Sequence, residues 1–140
     1  MAIDKDLVNS KLKQLEDLIF RASAMNFSFD ELSSEVDIQD VLLFRMQQAV
    51  ETAIDIANHM VSGLALPHQD KARDVFSLLA KHAVISTDLA NKMGSACGFR
   101  NLIVHMYGEI DFLSVFRDYK NDLQDLRDFA REINKYLSDN

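Results

Sequence analysis

Between Phe112 and Leu137 the apolar residues Phe112, Phe116, Tyr119, Leu123, Leu126, Ala130, Ile133 and Leu137 recur at spacings of 4, 3, 4, 3, 4, 3 and 4. A helix gathers all of them on one stripe, whereas a strand would throw neighbours to opposite faces. A seven-residue period held over that length favours shallow, near-antiparallel packing against other helices. One proline and four glycines in 140 residues leave few places where a helix must stop. No alternating strand pattern or Asn-Gly hairpin signal interrupts this reading. The chain is therefore expected to be all-α, an up-and-down bundle of four long helices plus one short helix, forming a single domain over residues 1–140.

The other helices follow from the same periodicity. Val8, Leu12, Leu15, Ile19 and Ala22 mark a first helix from about Asp4 to about Met25. Asn26 to Val36 is a polar, serine-rich connector in which Ser28-Phe29-Asp30-Glu31 suits the capping of a single helical turn. A second long helix is expected from a cap near Asp37 to Gly63, with Leu42, Met46, Ala49, Val50, Ala53, Ala57 and Met60 facing inward. After a loop containing Pro67, a shorter helix carries Ala72, Val75, Phe76 and Leu79 and ends near Val84. Ser86 is placed to cap the fourth helix, Gly108 to end it and Asp111 to cap the last.

The charge of the chain narrows its partners. A formal net charge of −7 argues against a broad phosphate-binding surface, so any nucleic-acid contact must be local. The lone Cys97 permits no internal disulfide and most simply packs as a small residue. The N-terminal residues lack the apolar core of a signal peptide, and no apolar run is long enough for a membrane span. A cytoplasmic, membrane-free protein is expected.

One stretch departs from the pattern. Leu89, Met93, Ala96, Arg100, Ile103 and Tyr107 follow spacings of 4, 3, 4, 3 and 4, which sets a guanidinium in an apolar seam. Such a group needs a carboxylate partner or a groove that water and ligand can enter. Glu51 and Asp55, on one face of the second helix, are candidates to pair with Arg100 and line that groove, as a structural salt bridge or as orienters of an active site. Five helical residues turn through about 500°, so Arg100 and His105 lie about 140° apart, while Arg100 and Tyr107 nearly coincide. Asn101 shares a face with His105 and is placed to orient the imidazole. His59, His68 and His82 invite a metal reading, but only Asp55 and His59 have helical ligand spacing, and no metal or cofactor site is expected.

Arginine can hold two phosphate oxygens at any working pH, and histidine can transfer a proton near neutrality. RNA cleavage through the 2′-hydroxyl needs both, yet on spacing alone an arginine and a histidine on one helix are more often structural. The run Arg100, Asn101-Leu102-Ile103-Val104, His105, Met106, Tyr107 resembles the Arg-x4-His-x-Tyr signature of the HEPN family, in the tyrosine form of the HepT toxins. The Gly98-Phe99-Arg100-Asn101 lead-in, the Leu64-to-Pro67 loop and the long closing helix after Ile110-Asp111 extend the similarity over nearly the whole chain. The resemblance implies a homodimer with facing motifs and a metal-independent endoribonuclease, the toxin of a type VII-like toxin–antitoxin pair. It implies Arg100 and His105 as the catalytic residues acting on RNA. It also implies a minimal nucleotidyltransferase antitoxin as partner, transferring AMP to Tyr107. The alternative is a non-catalytic HEPN module that binds a nucleotidyltransferase or nucleotide and uses Arg100 as an anchor.

Overall fold

The protein is described here by a computed structural model covering residues 2–140. Among these residues there are six α-helices and one 3-10 turn, in the order α1 (Lys5–Ser23), α2 (Phe29–Ser34), α3 (Val36–Gly63), α4 (Ala72–Lys81), α5 (Thr87–His105), the turn Tyr107–Glu109 and α6 (Phe112–Asp139). The up-and-down bundle expected from periodicity is present. Its long members are α1, α3, α5 and α6, with α4 as the short helix, and the capped turn in the first connector is the small helix α2.

The middle of the bundle is α3, which packs against each of the other five α-helices. Its sequence explains that position. Leu42, Leu43, Met46, Ala49, Ala53, Ile56, Ala57 and Met60 are buried to within 2% exposure and form one broad apolar face. A helix with so wide an apolar stripe can serve several neighbours at once. The alanines among these residues let neighbouring helices come close, and Phe76 of α4 meets Phe129 of α6 edge-on at 5.5 Å. In α6 the predicted stripe is buried from Tyr119 onward, while Phe112 and Phe116 are half-buried at the start of the helix. Phe116 packs there with Phe27 and Phe29.

Helix ends follow local chemistry, with three departures from expectation. Asp4, Ser28, Ser86 and Asp111 cap α1, α2, α5 and α6 through side-chain oxygens. Ser28 and Glu31 form a reciprocal capping box. By contrast, α3 starts at Val36 with no side-chain cap, and Asp37 lies inside its first turn, where a negative charge complements the helix dipole. The ends of α3 and α4 turn on alanines, Ala65 (φ 56°) and Ala83 (φ 60°), and α4 stops at Lys81, three residues short of Val84. Leu66 N–H donates to Val61 C=O at 2.9 Å and Val84 N–H to Leu79 C=O at 2.9 Å, the long-range bonds of a Schellman ending. Gly63 serves another purpose: a Cβ there would lie 2.8 Å from Ile3 Cα, so the glycine lets the N-terminal segment cross α3.

The third departure bears on function. Helix α5 ends at His105, not at Gly108, because Met106 swings to φ −137°, ψ 42° and the chain enters the 3-10 turn. Tyr107 therefore does not continue the stripe of Arg100, and the angular argument that placed the two together fails at this bend.

Candidate functional site

Arg100 lies on the α5 face that meets α3. Its Nη1 donates to Glu51 Oε1 at 2.8 Å, and the two side chains are 20% and 39% exposed. The guanidinium is thus partly withdrawn from water and held from one side. Its Nε is fully buried and has no hydrogen-bond partner among the described residues. Arg100 lines a groove of about 560 Å³ between α3, α4 and the loop joining them, together with Asn58, Ser62, His68, Gln69 and Asp70 among others. Both predictions for this arginine therefore hold together: it has a carboxylate partner and it lines an open groove.

Of the two carboxylates expected near it, only Glu51 is there. Asp55, one turn further along α3, is exposed and pairs with Lys11 of α1 at 3.1 Å. It belongs to a surface tie between α1 and α3. The difference is rotational, since the next turn of α3 brings its carboxylate round to α1. His59, His68 and His82 sit on α3, in the loop and at the end of α4. His68 pairs with Asp70 at 3.3 Å, and no group of three or more metal-ligating side chains occurs among the described residues.

His105 is the last residue of α5 and is exposed, as is Asn101 one turn before it. They share a face as expected, but no hydrogen bond joins them among the described residues. Arg100 faces inward and His105 outward, and the groove that Arg100 lines does not include the imidazole. One chain alone thus presents the two motif residues on different sides of α5.

The tyrosine lies on the opening turns of α3. Its phenol donates a hydrogen bond to Oδ1 of Asp40, a residue on the second turn of that helix. Burial, then the hydrogen bond to Asp40 and the charge of its carboxylate, push the phenol up to about 12. Since α3 rises 1.5 Å per residue, the Asp40 and Glu51 anchors are separated by about 16 Å along its axis. Exposed apolar side chains flank the phenol contact in the chain: Val41 and Phe44 on α3, Val104 and Met106 beside the motif, and Leu113 at the start of α6.

Two further features went unseen in the sequence. Arg73 of α4 lies against α5 with Nη2 3.1 Å from Gly94 C=O, and its side chain would touch a Cβ at Gly94. The paired Gly94 and Gly98, one turn apart, are the only hint the sequence offers of such a close approach. Cys97, on the same face, is buried; burial pushes its thiol up, and the nearby Arg100 and Arg73 offset this only in part. On α6, Asp122 is pushed up to about 6 by burial, then by the charges of Asp125 and Asp118.

The all-helical bundle, with Arg100 at a groove, His105 at the end of the same helix and Tyr107 just beyond it, is the arrangement that resemblance to the HEPN class implied. A family model described as Ribonuclease HepT-like matches residues 8–133, and the chain belongs to this family. It is similar to the mRNA nuclease HepT of Shewanella oneidensis, 27% identical over 128 residues that cover 91% of this chain and 96% of the relative. It is also similar to the tRNA nuclease HepT of Aphanizomenon flos-aquae, 31% identical over 112 residues that cover 80% of this chain and 76% of the relative. Among solved structures, the tri-AMPylated Shewanella oneidensis HEPN toxin in complex with MNT antitoxin superimposes with a TM-score of 0.86. That match has 27% identity and covers 93% of this chain and 98% of the toxin.

Proposed function

We propose that the chain is an endoribonuclease toxin of the HepT type, acting on RNA in the cytoplasm and neutralised by a minimal nucleotidyltransferase antitoxin. The observation that carries the reading is Arg100: a partly buried guanidinium, steered by Glu51, that lines an open groove. A group in that state gains from an anionic ligand. Arg100 holds the non-bridging oxygens of the scissile phosphate and stabilises the charge that grows on them as the 2′-oxygen attacks. His105 takes the proton from the 2′-hydroxyl while water protonates the departing 5′-oxygen, or protonates that oxygen while water takes the first proton. The P–O5′ bond breaks and a 2′,3′-cyclic phosphate remains. The residues supply charge and proton transfer themselves, so the step is metal-independent.

Arg100 and His105 diverge within one chain, so the cleft is completed across a homodimer. The exposed Val104, Met106, Val41 and Phe44 next to the motif supply apolar surface for that contact. The antitoxin adds AMP to Tyr107, as the tri-AMPylated relative suggests, and so places bulk and negative charge near the RNA path. The Glu51 ion pair also suits the other reading, a non-catalytic module in which Arg100 is an anchor.

Cleavage of a labelled RNA by purified protein separates the two. Arg100→Ala and His105→Ala, each still folded, should lose about 10²-fold or more in rate. If both variants cleave within twofold of the parent, or if the highly purified parent does not cleave at all, the nuclease reading fails.

A further inference from the structure

The hydrogen bond between Tyr107 and Asp40 joins residues 67 positions apart in sequence. We propose that Asp40 is the general base for nucleotidyl transfer to Tyr107, a catalytic group that this chain contributes to its own modification. The proposal rests on the reading above that Tyr107 is the acceptor.

The chemistry requires a proton acceptor. When the phenol oxygen attacks the α-phosphorus of a nucleoside triphosphate, a new P–O bond forms and the bond to the pyrophosphate bridging oxygen breaks. Pyrophosphate leaves with the electron pair, and the phenol proton must go elsewhere. Asp40 Oδ1 already accepts a hydrogen bond from that O–H, so it stands where the proton departs. The same arrangement, an aspartate accepting the proton of a hydroxyl that attacks phosphorus, serves protein kinases. Both groups are accessible: Tyr107 is 41% exposed and Asp40 is exposed. No lysine, arginine or histidine forms an ion pair with Asp40 among the described residues, so its carboxylate is not already engaged by a cation.

The alternative route, prior ionisation of the phenol, is poorly served here. With the group pushed up to about 12, the phenolate fraction at pH 7 is on the order of one in 10⁵. The titratable and charged groups along these elements are Glu35, Asp37, Asp40 and Arg45 at the start of α3, His105 at the end of α5, and Glu109 and Asp111 of the connection. Of these, Asp40 alone acts on the phenol. The carboxylate therefore opposes a free phenolate while being well placed to take the proton as the bond to phosphorus forms.

The test uses the full-length protein, its cognate nucleotidyltransferase, ATP and Mg²⁺, with intact mass followed over time. The parent should gain whole AMP units and Tyr107→Phe none. Asp40→Asn keeps the shape but not the basicity. It should slow transfer by about 10²- to 10⁴-fold at pH 7 while remaining folded and still binding the transferase. Its residual rate should rise about tenfold per pH unit between pH 7 and 9.5, as phenolate becomes available, whereas the parent stays flat. Asp40→Glu should recover part of the rate, and Asp37→Asn, one turn earlier, should stay within threefold of the parent.

Asp40→Asn reacting within threefold of the parent with the same pH profile would overturn the assignment. So would an equal loss in Asp37→Asn, which would make the effect one of general surface charge, or faster transfer in Asp40→Ala, which would make the contact a latch. An unmodified parent would remove the acceptor reading and the Asp40 role with it. A modified parent with an indifferent Asp40→Asn would remove the Asp40 role alone.

Discussion

Replacing Glu51 by glutamine removes the charge beside Arg100 while keeping an acceptor of the same shape. Two unit charges about 4 Å apart attract by about 4 kcal/mol at the effective dielectric of a protein surface and about 1 kcal/mol in water. Because Glu51 is 39% exposed and Arg100 20%, solvent screens the pair, and the expected loss lies towards the lower bound, about 1–2 kcal/mol. In a domain of this size that should lower the melting temperature by roughly 3–8 °C. Urea melts of the parent, Glu51→Gln, Arg100→Ala and the double variant form a cycle, in which the coupling should be about 1 kcal/mol. RNA cleavage by Glu51→Gln should fall about tenfold, since an untethered guanidinium samples geometries that miss the phosphate. If Glu51→Gln matches the parent in both stability and cleavage, Glu51 does not position Arg100, and the account of the groove is wrong.

Other outcomes follow from single residues. Asp122→Asn should raise stability at pH 7–8 by about 1 kcal/mol after allowing for solvent screening, because its carboxyl is pushed up to about 6 in the folded chain. The parent is favoured by the protonated form below pH about 4 and loses that contribution as pH rises through about 6, so the advantage of the variant should vanish in acid melts. Tyr107 should titrate near 12 by ultraviolet absorbance, and Asp40→Asn should lower that value without returning it to 10, because burial also raises it. The linked stability is complete below pH about 10 and lost as pH rises through about 12. Gly63→Ala should cost about 1–3 kcal/mol in a urea melt, since its Cβ would meet Ile3 backbone at 2.8 Å. Gly108→Ala, with nothing within 4 Å, should change stability by less than about 0.5 kcal/mol.

Much of the bundle was legible because helix formation is local. The stripes of α1, α3 and α6 were read from spacing, and Ser28, Ser86 and Asp111 announced helix starts, since a cap needs only its own side chain and the N–H two or three residues on. Ala65 and Ala83 hid the ends of α3 and α4, because alanine carries no mark of a left-handed turn. Gly108 misled in the opposite sense, a glycine standing beyond a helix that had already ended.

The site divides in the same way. Arg100 declared itself as a charge in an apolar seam, and Glu51 was within reach of spacing arguments. Asp55 was equally eligible by spacing, and only the packing of α1 against α3 gave it to Lys11. Asp40 carried no local signal at all, for its significance depends on a bend at Met106 and on the alignment of α5 with α3. The sequence by itself determined the helices, the seam and the identity of the reactive groups, because periodicity and side-chain chemistry act over a few residues. Which carboxylate meets the guanidinium and which meets the phenol was decided by tertiary structure, because those pairings depend on how whole helices are rotated and aligned against one another.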